Sequence, residues 1–536
     1  MDCRNINDSA MYDYFEKLIY EDTFSQRGWK KEEDSAPYGL TDQQVRTIHG
    51  SKKLLYGERD ADRQICLLQA MQKFLHEYIG IEGLEELLMN NYGTIENGIF
   101  FEHDSLGRAA NIREHSKHQL KNAYLGSVFL LEFGYLEHMA QVVCQEQSPV
   151  TGYLAAQARK AVESREDVPC KLEEWIYKIV LLSALFHDIG YPLEYHLRAA
   201  REIADYPPRL KLLTPAVKTE FSEIKVYLLE SQLFQQVEHE EIQEKYRRNN
   251  HGVLSALSLL MHFYYGGRIY SMSGEKRCLI EMSALAIYHH TDRFSEAERM
   301  VYLQDPISYM VRLCDDLQEW ERFKLLISDK HNYLLCDECG KILGEKNGEY
   351  TCPGCKQKYR KVTQIINRKV NYICLCDGLE IGKDGSGLRI RFQFHLMKQI
   401  EILLDDYTAV IKSEKDILKI EKMIKDQGLT PEMKLDWFVS NNPLYLIERM
   451  IDTSGKGGEV EAWIQGQKGT GKGRSLKAFY RDFLSRRDKG VFGGKLETNT
   501  LKYEGPVQEY VKEYYGEIYC LYCFLFEEEE ESSRRL

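Results

Sequence analysis

The chain has no excess of basic residues. Across 536 residues, 71 Lys and Arg face 83 Asp and Glu, for a formal charge of −12. That balance excludes a protein that coats nucleic acid or an anionic membrane through a general positive field, and it confines any polyanion site to a local basic pocket. Nucleic acid is therefore not an expected partner. Long apolar runs are lacking too. None reaches the ~18 residues that a membrane span needs, and LEEWIYKIVLLSALF (172–186) carries charges and stops early. The opening MDCRNINDSAMYDYFEK lacks the basic-then-apolar pattern of a signal peptide. The expectation is a soluble, cytoplasmic protein with no membrane partner. No segment repeats internally. Disorder does not describe the chain as a whole, because 43% of its residues are hydrophobic.

What is present divides along the chain. At ~150 residues per domain the length allows two to four domains. Residues 1–110 read as helical pieces with polar connections, among them DRQICLLQAMQKFLHEYIG (62–80). Residues 111–330 read as almost entirely helical. HQLKNAYLGSVFLLEFGYL, KLEEWIYKIVLLSALF, HGVLSALSLLMHFYY, CLIEMSALAIYHH and PISYMVRLCDDLQEWERF are apolar-periodic, the last with Asp305 as cap and Pro306 in the first turn. Residues 331–360 are short, polar and cysteine-paired.

Residues 361–452 read as a small α+β domain. LRIRFQF (388–394) alternates Leu388, Ile390, Phe392 and Phe394 against Arg389, Arg391 and Gln393. GKDGSG supplies a turn before it, and NYICLCDGLEI (371–381) is the expected hairpin partner. Two helices follow, the second opening on Ser413 with Asp416 three residues on. Residues 453–536 hold a Gly- and Lys-rich loop and a C-terminal region ending in FEEEEESSRRL, read as a solvated tail.

LLSALFHDIGYPLEYH (181–196) places His187 and Asp188 where an apolar helix stops. Adjacent residues point about 100° apart on a helix. At a helix end, before the break at Gly190 and Pro192, both can turn toward one point. An imidazole nitrogen and a carboxylate oxygen are usual ligands of a divalent hydrolytic metal. Alone, the pair is equally a buried histidine beside a capping aspartate. It is not alone. His115 and His118 lie at i, i+3 in REHSKHQLKNAYLG, His251 opens HGVLSALSLL, His289 and His290 close AIYHH, and Asp315 sits in MVRLCDDLQEW. Each lies within or at the edge of an apolar helix, where an uncompensated ionisable group is costly. One shared site explains them better than separate accidents.

This order resembles the HD-domain metal phosphohydrolases over roughly residues 110–327. Within that superfamily HDIGYPLEYH looks most like the deoxynucleoside triphosphate triphosphohydrolases, whose motif runs HDIGxPPFGH. His187, Asp188, Ile189, Gly190, Pro192 and His196 stand in the matching places. The fold class implied is mainly α: an all-helical HD domain with a zinc-ribbon insertion and a smaller α+β C-terminal region. The resemblance implies ligation of a divalent cation (Mn, Fe, Mg or Zn) by His118, His187, Asp188 and Asp315. It implies catalytic positions at His196, an acid/base near the phosphate ester, at His251, similar to a later HExxS-like histidine, and at His115, where the family often has a phosphate-contacting arginine. Leu193-Glu194-Tyr195 replaces PFG, and Gly252 follows His251 in place of Glu, which touches substrate identity more than metal binding. A looser resemblance, through RxHxxH…LG, HD, HGxxSA and LCDxLQEW, is to bacterial HD proteins that include anti-phage effectors.

The chemistry so implied is attack on the α-phosphorus of a dNTP, with release of deoxynucleoside and tripolyphosphate. Arg113 and Arg198 are candidates to hold the triphosphate, with plain surface arginines as the other reading. His289 and His290 are candidates for a second metal, or helix-end histidines favoured by the dipole. A nucleotide effector and a homo-oligomer are implied by the family alone. Two further readings stand beside this one: a phosphodiesterase or nucleotidase acting on cyclic or short oligonucleotides, and a nucleotide sensor without turnover.

Two other motifs carry chemistry. CDECGKILGEKNGEYTCPGC gives two CxxC knuckles, so Cys336, Cys339, Cys352 and Cys355 are expected to bind a structural zinc. The remaining ten of the fourteen cysteines are scattered, which fits thiols in a reducing compartment. VEAWIQGQKGTGKGRSLKAFYRDFLSRR (460–487) contains G-x4-G-K at Gly466, Gly471 and Lys472, in what reads as a strand–loop–helix setting. Gly473 stands where Ser or Thr would hold magnesium, so an NTPase is not expected. Lys468, Lys472, Arg474 and Lys477 remain candidates for an effector's phosphates.

Overall fold

The computed structural model describes residues 3–20, 23–29, 46, 58–90, 115–191, 231, 233–234, 239–247, 250–264, 267–292, 301–320, 323–335, 350–351, 356, 358–359, 363–374, 376–395, 417–425, 427–440, 456–467, 472–489, 513–514, 517–518 and 521. A short strand β1 (Cys3–Ile6) precedes α1 (Asp8–Tyr20) and α2 (Glu58–Phe74), which runs on through a π-helical turn at Leu75–Ile79. Then come α3 (His115–Glu132), α4 (Tyr135–Cys144), α5 (Pro149–Ala161), α6 (Val168–Phe186), α7 (His239–Arg247), α8 (His251–Tyr264), α9 (Gly274–His289) and α10 (Pro306–Leu317).

The architecture is mainly helical, with α6 at its centre. Trp175 through Phe186 are buried on every side of the helix, as befits a helix apolar all round. Packed against it are α3, α4, α5, α9 and α10. The run too short to span a bilayer is thus the core of a helical layer, and among the described residues no helix is long and apolar enough to cross a membrane. Lys178, buried in that run, is satisfied by Glu174 at 2.6 Å. Gly126 of α3 lets the helices close up: a Cβ there would stand 3.2 Å from Val180 and 3.7 Å from Cys314. The cap of α10 is as expected, with Asp305 accepting from the Ser308 N–H at 3.1 Å and Pro306 in the first turn.

The strands depart from the sequence reading in three places. First, β6 (Cys376–Asp384) and β7 (Gly387–His395) form a hairpin, with Leu388, Ile390, Phe392 and Phe394 buried, but of the expected partner 371–381 only residues from Cys376 on belong to it, 371–374 lying in the strand Thr363–Cys374. Their sheet, however, has the order β1-β6-β7-β8, with β8 (Met433–Ser440) parallel to β7. The α+β unit of 361–452 therefore takes an edge strand from the first six residues, where Ile6 meets Leu379.

Second, the boundary at 330/331 cuts through a strand. β2 (Phe323–Leu335) continues past it and pairs with β5 (Thr363–Cys374). Between them β3 (Tyr350–Thr351) pairs with β4 (Lys358–Tyr359). The four cysteines expected to bind zinc lie outside the described residues, as do Ser413 and the acidic tail.

Third, the segment before the Gly-rich loop is α11 (Lys456–Gly466), followed by α12 (Lys472–Asp488). Val460 and Ile464, one helical turn apart, are both buried. Residues 468–471 are thus flanked by two helices, and the strand required by a phosphate loop is replaced by a helix. In the α+β part, residues 417–424 are helical, with Ile417, Ile420 and Ile424 inward.

Candidate metal centre

Five helices deliver ionisable side chains to one place. α6 ends at Phe186 and the chain turns, with the Tyr191 N–H on the Asp188 carbonyl at 3.0 Å. In that turn His187 and Asp188 face a common point, Nε2 to Oδ2 being 3.6 Å. α3 contributes His118, whose Nε2 lies 2.7 Å from Asp315 Oδ1 on α10 and 3.9 Å from Asp188 Oδ2. His187 Nε2 is 3.7 Å from the same Asp315 oxygen. The other oxygen of Asp188 faces a second pair, His251 Nε2 at 3.6 Å from the start of α8 and His290 Nε2 at 3.8 Å from the end of α9.

The imidazoles are pre-oriented. The Nδ1–H of His187 donates to the Ala184 carbonyl at 2.8 Å, that of His290 to the Ile287 carbonyl, and that of His118 to Gln318 Oε1. With Nδ1 so engaged, each ring turns Nε2 toward the carboxylates, where it would offer its lone pair to a cation. Gln318 is fixed in turn, since its Nε2 donates to the Trp320 carbonyl at 3.0 Å. Lys121 donates to that same carbonyl at 3.0 Å and pairs with Asp8 at 3.1 Å, and Trp320 Nε1 donates to Asp8 at 3.2 Å. A chain of polar contacts thus runs from the first turn of α1 to the ring of His118.

These groups fit a divalent cation. His187, Asp188 and His290 are 1–2% exposed, and His118 4%. Holding the buried Asp188 and the partly buried Asp315 side by side is costly without a positive charge between them. His290 Nε2 is buried with no hydrogen-bond partner. Burial, then the neighbouring His187 and His251, push its pKa down to about 3, so it is neutral and able to ligate. His118 Nε2 lies at hydrogen-bond distance from Asp315 Oδ1, 2.7 Å, a contact that a cation between the two would replace. Two donor groups can each hold an ion: His118, His187 and Asp315, and His187, Asp188 and His290, with ligand atoms within 4.8 Å of one another. His187 belongs to both groups but has one free nitrogen. Two cations would therefore need another donor beside Asp188 Oδ1, and His251 Nε2 stands 3.6 Å from that oxygen. All-imidazole and carboxylate donors suit Mn, Fe or Zn.

The backbone around the centre explains the motif glycines. Gly190 lies against α8, where a Cβ would come within 2.4 Å of the Ser255 nitrogen and 2.5 Å of the Leu254 carbonyl carbon. Its N–H donates to Ser255 Oγ at 2.9 Å. Asn250 caps α8, accepting from the Val253 N–H at 3.2 Å and from Thr291 Oγ at 2.8 Å. That contact joins the start of α8 to the end of α9, and so His251 to His290. Gly252 leaves room for it, since a Cβ there would sit 2.6 Å from Thr291 Oγ1.

Compared with family models, curated proteins and solved structures, the chain matches none. What the centre can do thus rests on its own donors.

Of the residues singled out in the sequence, His118, His187, Asp188 and Asp315 come together, joined by His251 and His290. His289 does not join them. It lies one residue earlier on the helix and turns its Nδ1 to Asp292 at 2.7 Å. His115 opens α3, but its side chain lies outside the described residues, as do Arg113, His196, Arg198, Cys336, Cys339, Cys352, Cys355 and Lys468. Lys472 opens α12, which packs on α11, and Arg474 is exposed there. Sequence reasoning missed Asn122 and Gln318. Their one signal is spacing: Asn122 is one turn after His118, and Gln318 is three residues after Asp315.

Gln318→Leu is expected to weaken Mn2+ binding about 10- to 100-fold, with Gln318→Glu retaining it, as read by titration calorimetry. Wild-type affinity in the leucine variant would show that the Nδ1 contact does not orient His118.

Proposed function

We propose that this centre hydrolyses a nucleotide phosphoester with divalent cations, and that its substrates are deoxynucleoside triphosphates, cleaved to deoxynucleoside and tripolyphosphate. The observation that carries the reading is the convergence of His118, His187, His251 and His290 on Asp188 and Asp315. The substrate class comes from the resemblance of HDIGYPLEYH to the triphosphohydrolase motif.

When bound, divalent cations polarise a phosphoryl oxygen and lower the pKa of water toward 7. The chain's own residues do the rest. His118, His187, Asp188 and Asp315 hold one ion, and Asp188, His251 and His290 a second. The buried rings keep bulk water from the inner side. The open side is marked by His251, with its side chain 28% exposed, and by Asp315 at 14%. Tyr191 lies against His251, ring centroids 5.3 Å apart, and borders the same side. In this arrangement His251 holds a cation, and His196 gives a proton to the leaving 5′-oxygen. Arg113 and Arg198 meet the triphosphate. A structural zinc on Cys336, Cys339, Cys352 and Cys355, a nucleotide effector, homo-oligomerisation and a role against phage belong to the same proposal.

One observation favours a second reading. Asp188 presents its two oxygens to two histidine pairs, and paired cations suit in-line cleavage of phosphodiesters. The alternative is therefore an HD phosphodiesterase or nucleotidase acting on cyclic or short oligonucleotides. The test is a product screen with the full chain reconstituted with manganese, iron or magnesium, over all NTPs, dNTPs and cyclic and linear dinucleotides. Tripolyphosphate from a dNTP is the expected product. Monophosphate from a dinucleotide selects the alternative, and tight nucleotide binding with no product under any ion selects a non-catalytic sensor.

A further inference from the structure

Asn122 is buried on α3, one turn beyond His118. Its Nδ2 stands 3.3 Å from His118 Nε2, 3.3 Å from His187 Nε2 and 3.4 Å from Asp315 Oδ1. Ligand atoms at about 2.1 Å from a shared tetrahedral centre are about 3.4 Å from one another. The amide end of Asn122 thus keeps the spacing of a further ligand, not that of a neighbour packed behind the ligands.

The other end of the amide is also informative. Asn122 Oδ1 is buried with no hydrogen-bond partner, an expensive condition for an amide oxygen. The two ends have nearly the same shape, and a half-turn of the side-chain amide exchanges them. That rotation brings Oδ1 to the vertex where Nδ2 stands. An amide nitrogen does not ligate a hard divalent cation, whereas an amide oxygen does.

We propose that Asn122 Oδ1 is a direct ligand of the cation held by His118, His187 and Asp315. The inference rests on the metal-dependent reading above and adds a neutral oxygen to that ion's donors. A different role, in which the Asn122 N–H group merely steadies Asp315, makes the opposite forecast for an aspartate at this position, because aspartate offers oxygens and no N–H.

The test is Mn2+ titration calorimetry on the metal-stripped full chain, comparing wild type with Asn122→Leu, Asn122→Asp and His118→Ala. Leucine keeps the volume and removes the oxygen, so affinity should fall 10-fold or more. Aspartate should bind at least as tightly as wild type. Wild-type affinity in Asn122→Leu, or weakened binding in Asn122→Asp, overturns the proposal. If the leucine variant fails to fold, the aspartate variant decides alone. His118→Ala separates the two levels. Unchanged binding there removes the metal centre itself, whereas loss there with none in Asn122→Leu removes only the role of Asn122.

Discussion

Asp188→Ala is expected to abolish Mn2+ binding and to lower hydrolysis on the order of 10³-fold or more, the scale of losing a principal catalytic group. No other single residue should cost as much. Among the described residues, Asp188 is the one side chain that faces both histidine pairs, through Oδ2 to His118 and His187 and through Oδ1 to His251 and His290. Removing His118 or His290 impairs one cation, but removing Asp188 impairs both. Folding should survive. Without a cation, Asp188 and Asp315 are like charges in a buried cluster, so losing one relieves repulsion. The variant's melting temperature in chelator should therefore equal or exceed that of the wild type, while the stabilisation that wild type gains from added Mn2+ should be gone. Retained hydrolysis in Asp188→Ala would remove the assignment.

Gly190→Ala should give the second large effect, this time through packing. The added methyl would meet the Ser255 nitrogen, the Leu254 carbonyl carbon and Leu254 Cβ, all closer than 3 Å. Two of these are backbone atoms and cannot swing aside. The turn after α6 and the first turns of α8 must separate, which breaks the Gly190–Ser255 hydrogen bond and draws His251 away from Asp188. Overpacking of this kind costs about 3 kcal/mol, or a fall in melting temperature of roughly 6–12 °C, with weaker cation binding besides. Gly252→Ala is the contrast. Its methyl meets the Thr291 side chain, which can rotate, so about 1 kcal/mol is expected. Thermal denaturation of both variants checks the pair, and a Gly190→Ala protein melting with the wild type would show that the close approach is not needed.

Much of the centre was legible from residue types placed against their surroundings. His118, His187, Asp188 and Asp315 are polar groups in apolar helices, and such groups need a common partner. The α6 run and the alternation of β7 were legible for the same reason, since burial repeats with the period of the element. Other features carry no such mark. β1 is four residues long, too short to show a period, and it becomes a strand only because β6 offers an edge. β2 follows α10 after a few residues, and LLISDKHNYLL has no clean alternation to announce it. Residues 456–466 form a helix where the sequence suggests the strand before a phosphate loop, because Val460, Trp463 and Ile464, set among glycines, are too few to show a helical period. His289 and His290 differ only in helical phase, and the phase is set by the packing of α9 on α6 and α10. Asn122 and Gln318 are types common on surfaces, so their burial became visible only with the helices in place.

Anomalous X-ray diffraction from Mn2+-soaked crystals of the full chain tests the central claim most directly. The account predicts one peak within bonding distance of His118, His187, Asp188 and Asp315, and a second bordered by Asp188, His251 and His290. Crystals soaked in excess Mn2+ that show no peak among these side chains would contradict it.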